Sequence, residues 1–312
     1  MTTTVLRTAE GWWVELPGAG RAAKVATAAR TTAELLADRA ALRAAVDEST
    51  VDVAELDLLS PITAPCRVVA QMVNYRSHAR DSGFDPDTVP PTFFRKASGS
   101  ISGPHATVVR PAHVALLDYE VELGLVLGAP LPVGTAVTEA SLPRYLAGLV
   151  VANDISARDV QLTKGQFYES KSYPTFTPLG PRLVLLADND FAHLERLRLR
   201  LWVNGAARQD HTLADLIVPP ARALTLLARF QELAPGDLLL TGTPGGTALK
   251  APPKPVERLA ALLPPALKWR LFLKGQAKNT DYLQHGDLIT ASIGTDDGAL
   301  DLGTQCTPVE HR

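Results

Sequence analysis

Residues 117–128 read LDYEVELGLVLG, with acids at Asp118, Glu120 and Glu122 and Tyr119, Val121 and Leu123 set between them. Successive side chains of a β-strand point to opposite faces, so a strand here would carry three carboxylates on one face and apolar groups on the other. The pattern predicts a strand from Glu120 to Leu127. An isolated pair of alternating acids is most often a solvated strand face, so the spacing alone does not make a site. A second run, Leu149-Val150-Val151-Ala152-Asn153, is apolar and ends at Asp154. At the mouth of a buried strand, Asp154 would complete a compact oxygen cage with Glu120 and Glu122. Carboxylates with waters and substrate oxygens suit Mg²⁺ or Mn²⁺, whereas zinc sites normally add His or Cys.

Further strands are expected at Val108 to Arg110, Leu146 to Asn153 and Arg182 to Leu186, each bounded by turn residues. In LRLRLWVNGAARQ, residues 197–209, Leu197, Leu199, Leu201 and Val203 share one face, and Asn204-Gly205 supplies a two-residue hairpin turn. A helix should run from about Pro220 to Leu233. The segment LAPGDLLLTGTPGG reads as a turn, a buried strand and a glycine-rich loop, and strands resume around HGDLITASIG. Toward the N-terminus, a hairpin is expected from Val5 to Leu16. Thr31 with Glu34 has capping-box spacing for a helix to about Asp47. Pro61 and Pro65, ahead of an apolar run, mark a junction. The expected organisation is a small α/β domain at residues 1–62 and a β-rich catalytic domain at residues 63–312, an α+β chain overall.

Composition narrows the function classes. The 312 residues are 46% apolar and 21% charged, the balance of a globular protein. With 31 Lys plus Arg against 33 Asp plus Glu, the net charge of −2 gives no pull toward nucleic acid or an anionic membrane. Only Cys66 and Cys306 occur, which excludes a disulfide framework and a multi-cysteine zinc site. No apolar stretch approaches a membrane span and no signal peptide is apparent, so a cytoplasmic location is the default expectation.

Downstream of Asp154, the side chains of Ser156, Arg158, Gln161 and Lys171 are donors that could receive charge developing on a carbonyl oxygen. Asp159 beside Arg158 could equally form a structural ion pair. His78 precedes Asp81 by three residues, a spacing that brings two side chains together on one helical turn. The carboxylate could then orient the imidazole as a base, although such pairs are commonly plain surface contacts. The loop Thr241 to Gly246 could present backbone N–H groups and Thr243 to an anion. It lacks the lysine and hydroxyl residue of a phosphate-binding loop.

Taken in order, NYRSHARD, LDYEVELGLVLG, VVANDISARDVQ, KSYPTFTPLGPRLV and LAPGDLLLTGTPGG resemble the successive signature segments of the fumarylacetoacetate hydrolase family. The resemblance covers about residues 66–250 and resumes at HGDLI. It implies a mixed β-roll catalytic domain, often preceded by a small N-terminal domain, and homodimeric assembly. By position it makes Glu120, Glu122 and Asp154 the metal ligands. It makes Arg158, Gln161 and Lys171 the groups that stabilise substrate oxygens, with Lys171 also able to handle a proton. His78 corresponds to a water-activating histidine on a lid, oriented by Asp81, and Tyr75, Lys96 and Thr243 fall on the substrate side. Three departures stand out: Asp81 replaces a usual Glu, Gln71-Met72-Val73 replaces a small Gly-Leu pair, and residues 250–278 form a Pro- and Lys-rich insertion.

The implied activity is Mg²⁺- or Mn²⁺-dependent hydrolysis of a carbon–carbon bond in an acylpyruvate-like 2,4-dioxo acid, a small 2-oxo acid substrate. Decarboxylation, isomerisation or hydration of a 2-oxo acid is the alternative enzyme chemistry, and a silent dicarboxylate-binding protein is the non-enzymatic one.

Overall fold

The computed structural model describes residues 2–18, 20–47, 49–252 and 263–312. The strand Val121–Leu127 is buried along its whole length, and it is paired antiparallel on one side with Leu146–Asn153 and on the other with Leu238–Leu240. Leu238–Leu240 runs parallel to Val68–Met72, which pairs with the edge strand Thr92–Lys96. On the other flank, Leu146–Asn153 pairs with Thr177–Leu185. A second sheet of five strands contains the hairpin Arg198–Val203 and Ala206–Thr212, followed by Leu288–Gly294, Asp301–His311 and Val108–Arg110. The chain is thus a strand-rich α+β protein, as its patterning implies.

Alternation on the acidic strand now has a structural meaning. Val121, Leu123 and Leu125 join Leu149 and Val151 in one buried cluster with Leu199, Leu201, Ile289, Ala291 and Ile293 of the second sheet. Each fully buried Val or Leu in this layer contributes roughly 1.5–3 kcal/mol. The odd-numbered positions therefore weld the two sheets together, and the even-numbered acids are left for the far side and the strand end.

The N-terminal strands Thr3–Thr8, Gly11–Glu15, Arg21–Lys24 and Thr50–Asp52 extend the main sheet, because Thr3–Thr8 pairs antiparallel with Thr177–Leu185. Val5, Trp12, Val14 and Leu35 pack in one cluster with Val68, Val150 and Leu183. Strands on both sides of the expected boundary at residues 62 and 63 therefore lie in one sheet and share one apolar layer.

Two helices differ from expectation. The capping box of Thr31 and Glu34 is formed, but the helix stops at Ala37 and a second runs Arg39–Ala44. Asp38 breaks the run with non-helical dihedrals, accepting from Thr27 Oγ1 at 2.7 Å and from the Ala41 N–H at 3.2 Å. The helix from Pro220 ends at Leu227, not near Leu233. There the backbone of Leu233 exchanges hydrogen bonds with Leu131, and Asp237 accepts from Ala234 N, so tertiary pairing overrides helical continuation. The predicted hairpin is present, with Asn204 at φ 52° and Gly205 at φ 79°. In the insertion, residues 253–262 lie outside the described residues and Pro265–Gln276 is helical. No helix among the described residues is long and apolar enough to cross a membrane.

Gly148 sits where the central strands approach most closely, and a Cβ there would lie 2.5 Å from the carbonyl oxygen of Val184. Gly148→Ala is expected to destabilise the fold by about 1–3 kcal/mol through overpacking against backbone that cannot yield. Urea denaturation checks this, and an unchanged midpoint would contradict the close packing described.

Candidate active site

The acidic segment does not run as one strand. Leu117–Asp118 pairs with Ser156–Ala157 in a separate two-stranded sheet, and the chain joins the main sheet only at Val121. The expectation of three carboxylates on one strand face is therefore corrected: the break at Tyr119 and Glu120 sends Asp118 elsewhere. Glu120, Glu122 and Asp154 instead form a buried triad, one oxygen from each lying within 4.8 Å of the others. Backbone contacts fix the two strand ends, with Asp154 N donating to Glu120 O at 2.8 Å and Glu120 N to Asn153 Oδ1 at 2.9 Å. Glu122 Oε2 accepts from Gly242 N at 2.8 Å.

Three cationic side chains surround this triad. Lys171 Nζ donates to Glu120 Oε2 and Asp154 Oδ2, both at 2.7 Å. Lys96 Nζ is paired with Asp154 Oδ1 and donates to Phe176 O at 2.9 Å. Arg158 donates through Nε to Asp118 Oδ2 at 2.8 Å, through Nη1 to Gln161 Oε1 at 2.9 Å, and through Nη2 to Glu120. Counted as formal charges, four carboxylates face three cations, leaving one negative charge. A divalent cation would turn that into one positive charge, which suits an anionic substrate.

The protonation pattern follows. Burial disfavours the Glu120 carboxylate, but Lys171, Arg158 and His78 outweigh it and hold the group at about 2. For Glu122, Lys171 and the Gly242 N–H offset too little: burial, then the charges of Asp154 and Glu120, push it well above the ordinary range. Burial lowers Lys96 despite Asp154, whereas for Lys171 the attraction of Asp154 and Glu120 exceeds the cost of burial and raises it. An all-oxygen triad with one carboxylate strained toward its neutral form fits a hard divalent cation.

The expected His78–Asp81 pair is not formed. Both lie on the short helix Arg76–Asp81, but Asp81 Oδ2 accepts from Gly246 N at 3.0 Å, and His78 Nδ1 is buried without a hydrogen-bond partner. A backbone N–H from the glycine-rich loop has captured the carboxylate. Burial lowers the His78 imidazole below its ordinary value, and Glu120 is the strongest opposing charge. The histidine thus lies within the electrostatic reach of the acidic triad.

Other expected residues fall into place with altered roles. Tyr75 is fully buried near Glu122 and Thr241, its hydroxyl without a partner. Thr243 Oγ1 donates to Val121 O at 3.0 Å and accepts from Gln209 Nε2 at 2.8 Å, so its hydroxyl braces the loop. Lys96 contacts Asp154 of the triad, not an open pocket wall. Asp159 does not pair with Arg158; it accepts from the N–H groups of Ala115 and Leu116. Sequence reasoning missed Asn74, whose side chain bonds Val218 N, Val218 O and Thr241 O, and Asp215, which accepts from Ser77 N at the start of the helix Arg76–Asp81. It also missed Gln209, buried and bonded to Val121 N and Pro244 O as well as Thr243. None of the three stands out by spacing: Gln209 lies between Arg208 and Asp210, and Asp215 is one acid among many.

Fold and site together define a strand-rich α+β protein built around a buried three-carboxylate cluster ringed by Lys96, Arg158 and Lys171. Residues 67–310 match the family model described as fumarylacetoacetate hydrolase, C-terminal, and the chain belongs to that family. Among its relatives, the mitochondrial oxaloacetate tautomerase Fahd2a of Rattus norvegicus is 34% identical over 203 residues, 64% of this chain and 62% of that protein. A fumarylacetoacetate hydrolase domain-containing protein 2 homolog of Dictyostelium discoideum is 30% identical over 221 residues, 68% of this chain and 70% of that one. The crystal structure of a probable 2-hydroxyhepta-2,4-diene-1,7-dioate isomerase from Mycobacterium abscessus superposes with TM-score 0.75 at 28% identity, covering 100% of this chain and 99% of that one.

Glu122→Gln separates site from scaffold. The amide keeps the contact to Gly242 but removes a carboxylate that burial and two like charges oppose. Without metal the variant is expected to be at least as stable as the wild type, while its Mn²⁺ affinity falls at least about tenfold. Thermal denaturation and calorimetry check the two signs, and unchanged Mn²⁺ affinity would remove Glu122 from the site.

Proposed function

We propose that this chain is a Mg²⁺- or Mn²⁺-dependent enzyme that interconverts the keto and enol forms of a small 2-oxo diacid such as oxaloacetate. The observation that carries this reading is His78 without its carboxylate partner, its Nδ1 buried and unbonded, beside a cationic cluster. Hydrolysis of a carbon–carbon bond calls for an activated water, and the pairing expected to activate it is spent on Gly246. Moving a proton next to a carbonyl asks only for one neutral base near groups that hold an enolate. The names of the rat tautomerase and the mycobacterial isomerase support the same choice.

Glu120, Glu122 and Asp154 would hold the cation, which when bound supplies Lewis-acid polarisation of the 2-oxo group. Arg158 and Lys171 donate toward the enolate oxygen and favour the anion over the ketone. His78 takes the proton from the carbon beside that carbonyl and returns it to oxygen. Tyr75, with its hydroxyl unpartnered, faces the substrate side. Lys96 and Gln161 orient Asp154 and Arg158. The edge strand Thr92–Lys96, with exposed Phe230 against Phe93, supports assembly as a homodimer through this edge. Hydrolysis is the second reading, favoured by one observation: the fumarylacetoacetate hydrolase of Exiguobacterium antarcticum superposes with TM-score 0.70 at 25% identity.

Loss of the ultraviolet absorbance of enol-oxaloacetate is expected to accelerate with the protein and Mn²⁺ and to return to the buffer rate with chelator. His78→Ala should lose roughly 10²–10⁴-fold in rate with Mn²⁺ binding intact. Pyruvate release from acylpyruvates without any enol–keto acceleration would establish hydrolysis instead.

The pH profile offers a separate check. A neutral base must be present, so the rate is expected to fall as pH drops through the folded His78 value, which lies below its ordinary 6.5. Asp81→Asn should leave that acidic limb in place, because Asp81 serves Gly246. A limb displaced to lower pH in this variant would restore the His78–Asp81 pair.

A further inference from the structure

Asp118 was set apart from the triad by the break in the acidic segment, and its surroundings give it a purpose. Its side chain is fully buried and every contact it makes is with a donor. Oδ1 accepts from Tyr119 N and Ala248 N, both at 2.9 Å. Oδ2 accepts from Leu249 N at 3.1 Å and from Arg158 Nε at 2.8 Å. The two N–H groups at 248 and 249 belong to the strand of chain that leaves the glycine-rich loop, whose Gly246 N is held by Asp81 of the lid helix. One carboxylate therefore joins the guanidinium of the site to the chain leaving the glycine-rich loop, which in turn holds Asp81 of the helix Arg76–Asp81.

We propose that Asp118 is a positioning residue for the reaction: it fixes the rotation of the Arg158 guanidinium about its long axis, so that the free N–H of each terminal nitrogen stays aimed at the substrate. A guanidinium is planar, and its five N–H bonds form a rigid fork. Glu120 holds one N–H of Nη2 and Gln161 one N–H of Nη1, which leaves one N–H free on each terminal nitrogen. Asp118 holds the Nε–H, so with it all three nitrogens of the guanidinium are engaged and the plane is fixed from the side-chain end as well. Because Asp118 also accepts from residues 248 and 249, displacement of the glycine-rich loop would be felt at Arg158. This inference rests on the enolising role given to Arg158 above.

The test is a double-mutant cycle of Asp118→Asn and Arg158→Lys, read as kcat and KM for oxaloacetate tautomerisation and as Mn²⁺-dependent oxalate affinity. Oxalate is a planar dicarboxylate that mimics the enolate. Asp118→Asn is isosteric but turns an amide donor toward Nε or the backbone N–H groups. Its kcat is expected to fall about 10–100-fold with KM nearly unchanged, and oxalate affinity to weaken in parallel, since the contact matters for the enolate and not for the ketone. In the Arg158→Lys background the Asp118 substitution should add little further loss. Equal losses in both backgrounds, or a wild-type kcat in Asp118→Asn, would overturn the proposal and leave Asp118 as scaffold. Arg158→Lys alone keeps the charge without the fork. If Asp118→Asn does not fold, wild-type kcat in Arg158→Lys also overturns it. Absence of tautomerisation by the wild type would count against the proposed function, while the oxalate cycle would still decide the role of Asp118.

Discussion

Three carboxylates buried within hydrogen-bonding reach of the same point repel one another, and much of the structure is arranged to make that tolerable. Moving one ion out of water costs several kcal/mol even after relaxation, so a triad cannot stand without countercharge. Lys171 bridges two of the acids, Lys96 takes the remaining oxygen of Asp154, and Arg158 spans from Glu120 to Asp118. Each cation comes from a different element: an edge strand, a short helix and the turn before Thr177–Leu185. The electrostatics of the site thus tie together segments that are distant in sequence, and Glu122, the acid with least compensation, is left as the group most in want of a cation.

Much of this was legible in the chain. Alternation along residues 117–127 announced a strand, and the apolar run into Asp154 announced its neighbour, because burial on both sides of a central strand demands such runs. The ring of Lys96, Arg158, Gln161 and Lys171 was found through ordered motifs, not through spacing, since nothing local says that a lysine 75 residues upstream of another will meet the same carboxylate. Where the reading went astray, a long-range partner had intervened. Asp118 left the strand face because the N–H groups of residues 248 and 249 and Arg158 drew it away. The helix from Pro220 stopped early because Leu131 claimed the backbone of Leu233.

His78 and Asp81 show the same limit more sharply. A separation of three residues permits contact on a helical turn, yet it says nothing about competing donors. The helix is only six residues long and its last residue is Asp81, which faces the loop packed against it. Gly246, at φ 103° and with a Cβ position only 2.0 Å from Arg208 O, can be nothing but glycine, and its N–H points at that carboxylate. Proximity along the chain was outcompeted by a donor the fold delivers. Asn74, Asp215 and Gln209 were overlooked for a related reason: their work is to satisfy backbone groups where the lid, the hairpin and the glycine-rich loop converge, and only the folded chain reveals which groups need it.

The N-terminal strands have a consequence beyond their place in the sheet. Thr3–Thr8 lies along Thr177–Leu185, the strand that follows the loop carrying Lys171 and begins just beyond Phe176, whose carbonyl receives Lys96. Over Leu183–Leu185 that apolar strand would otherwise be an open edge, with unpaired backbone groups able to recruit a strand from any other molecule. By covering it, the first residues of the chain act as protection against edge-to-edge aggregation. The sheet then continues to the short strand Thr50–Asp52, a far less inviting template. In this protein, the covering of a sheet edge and the placement of two site lysines lie along the same strand.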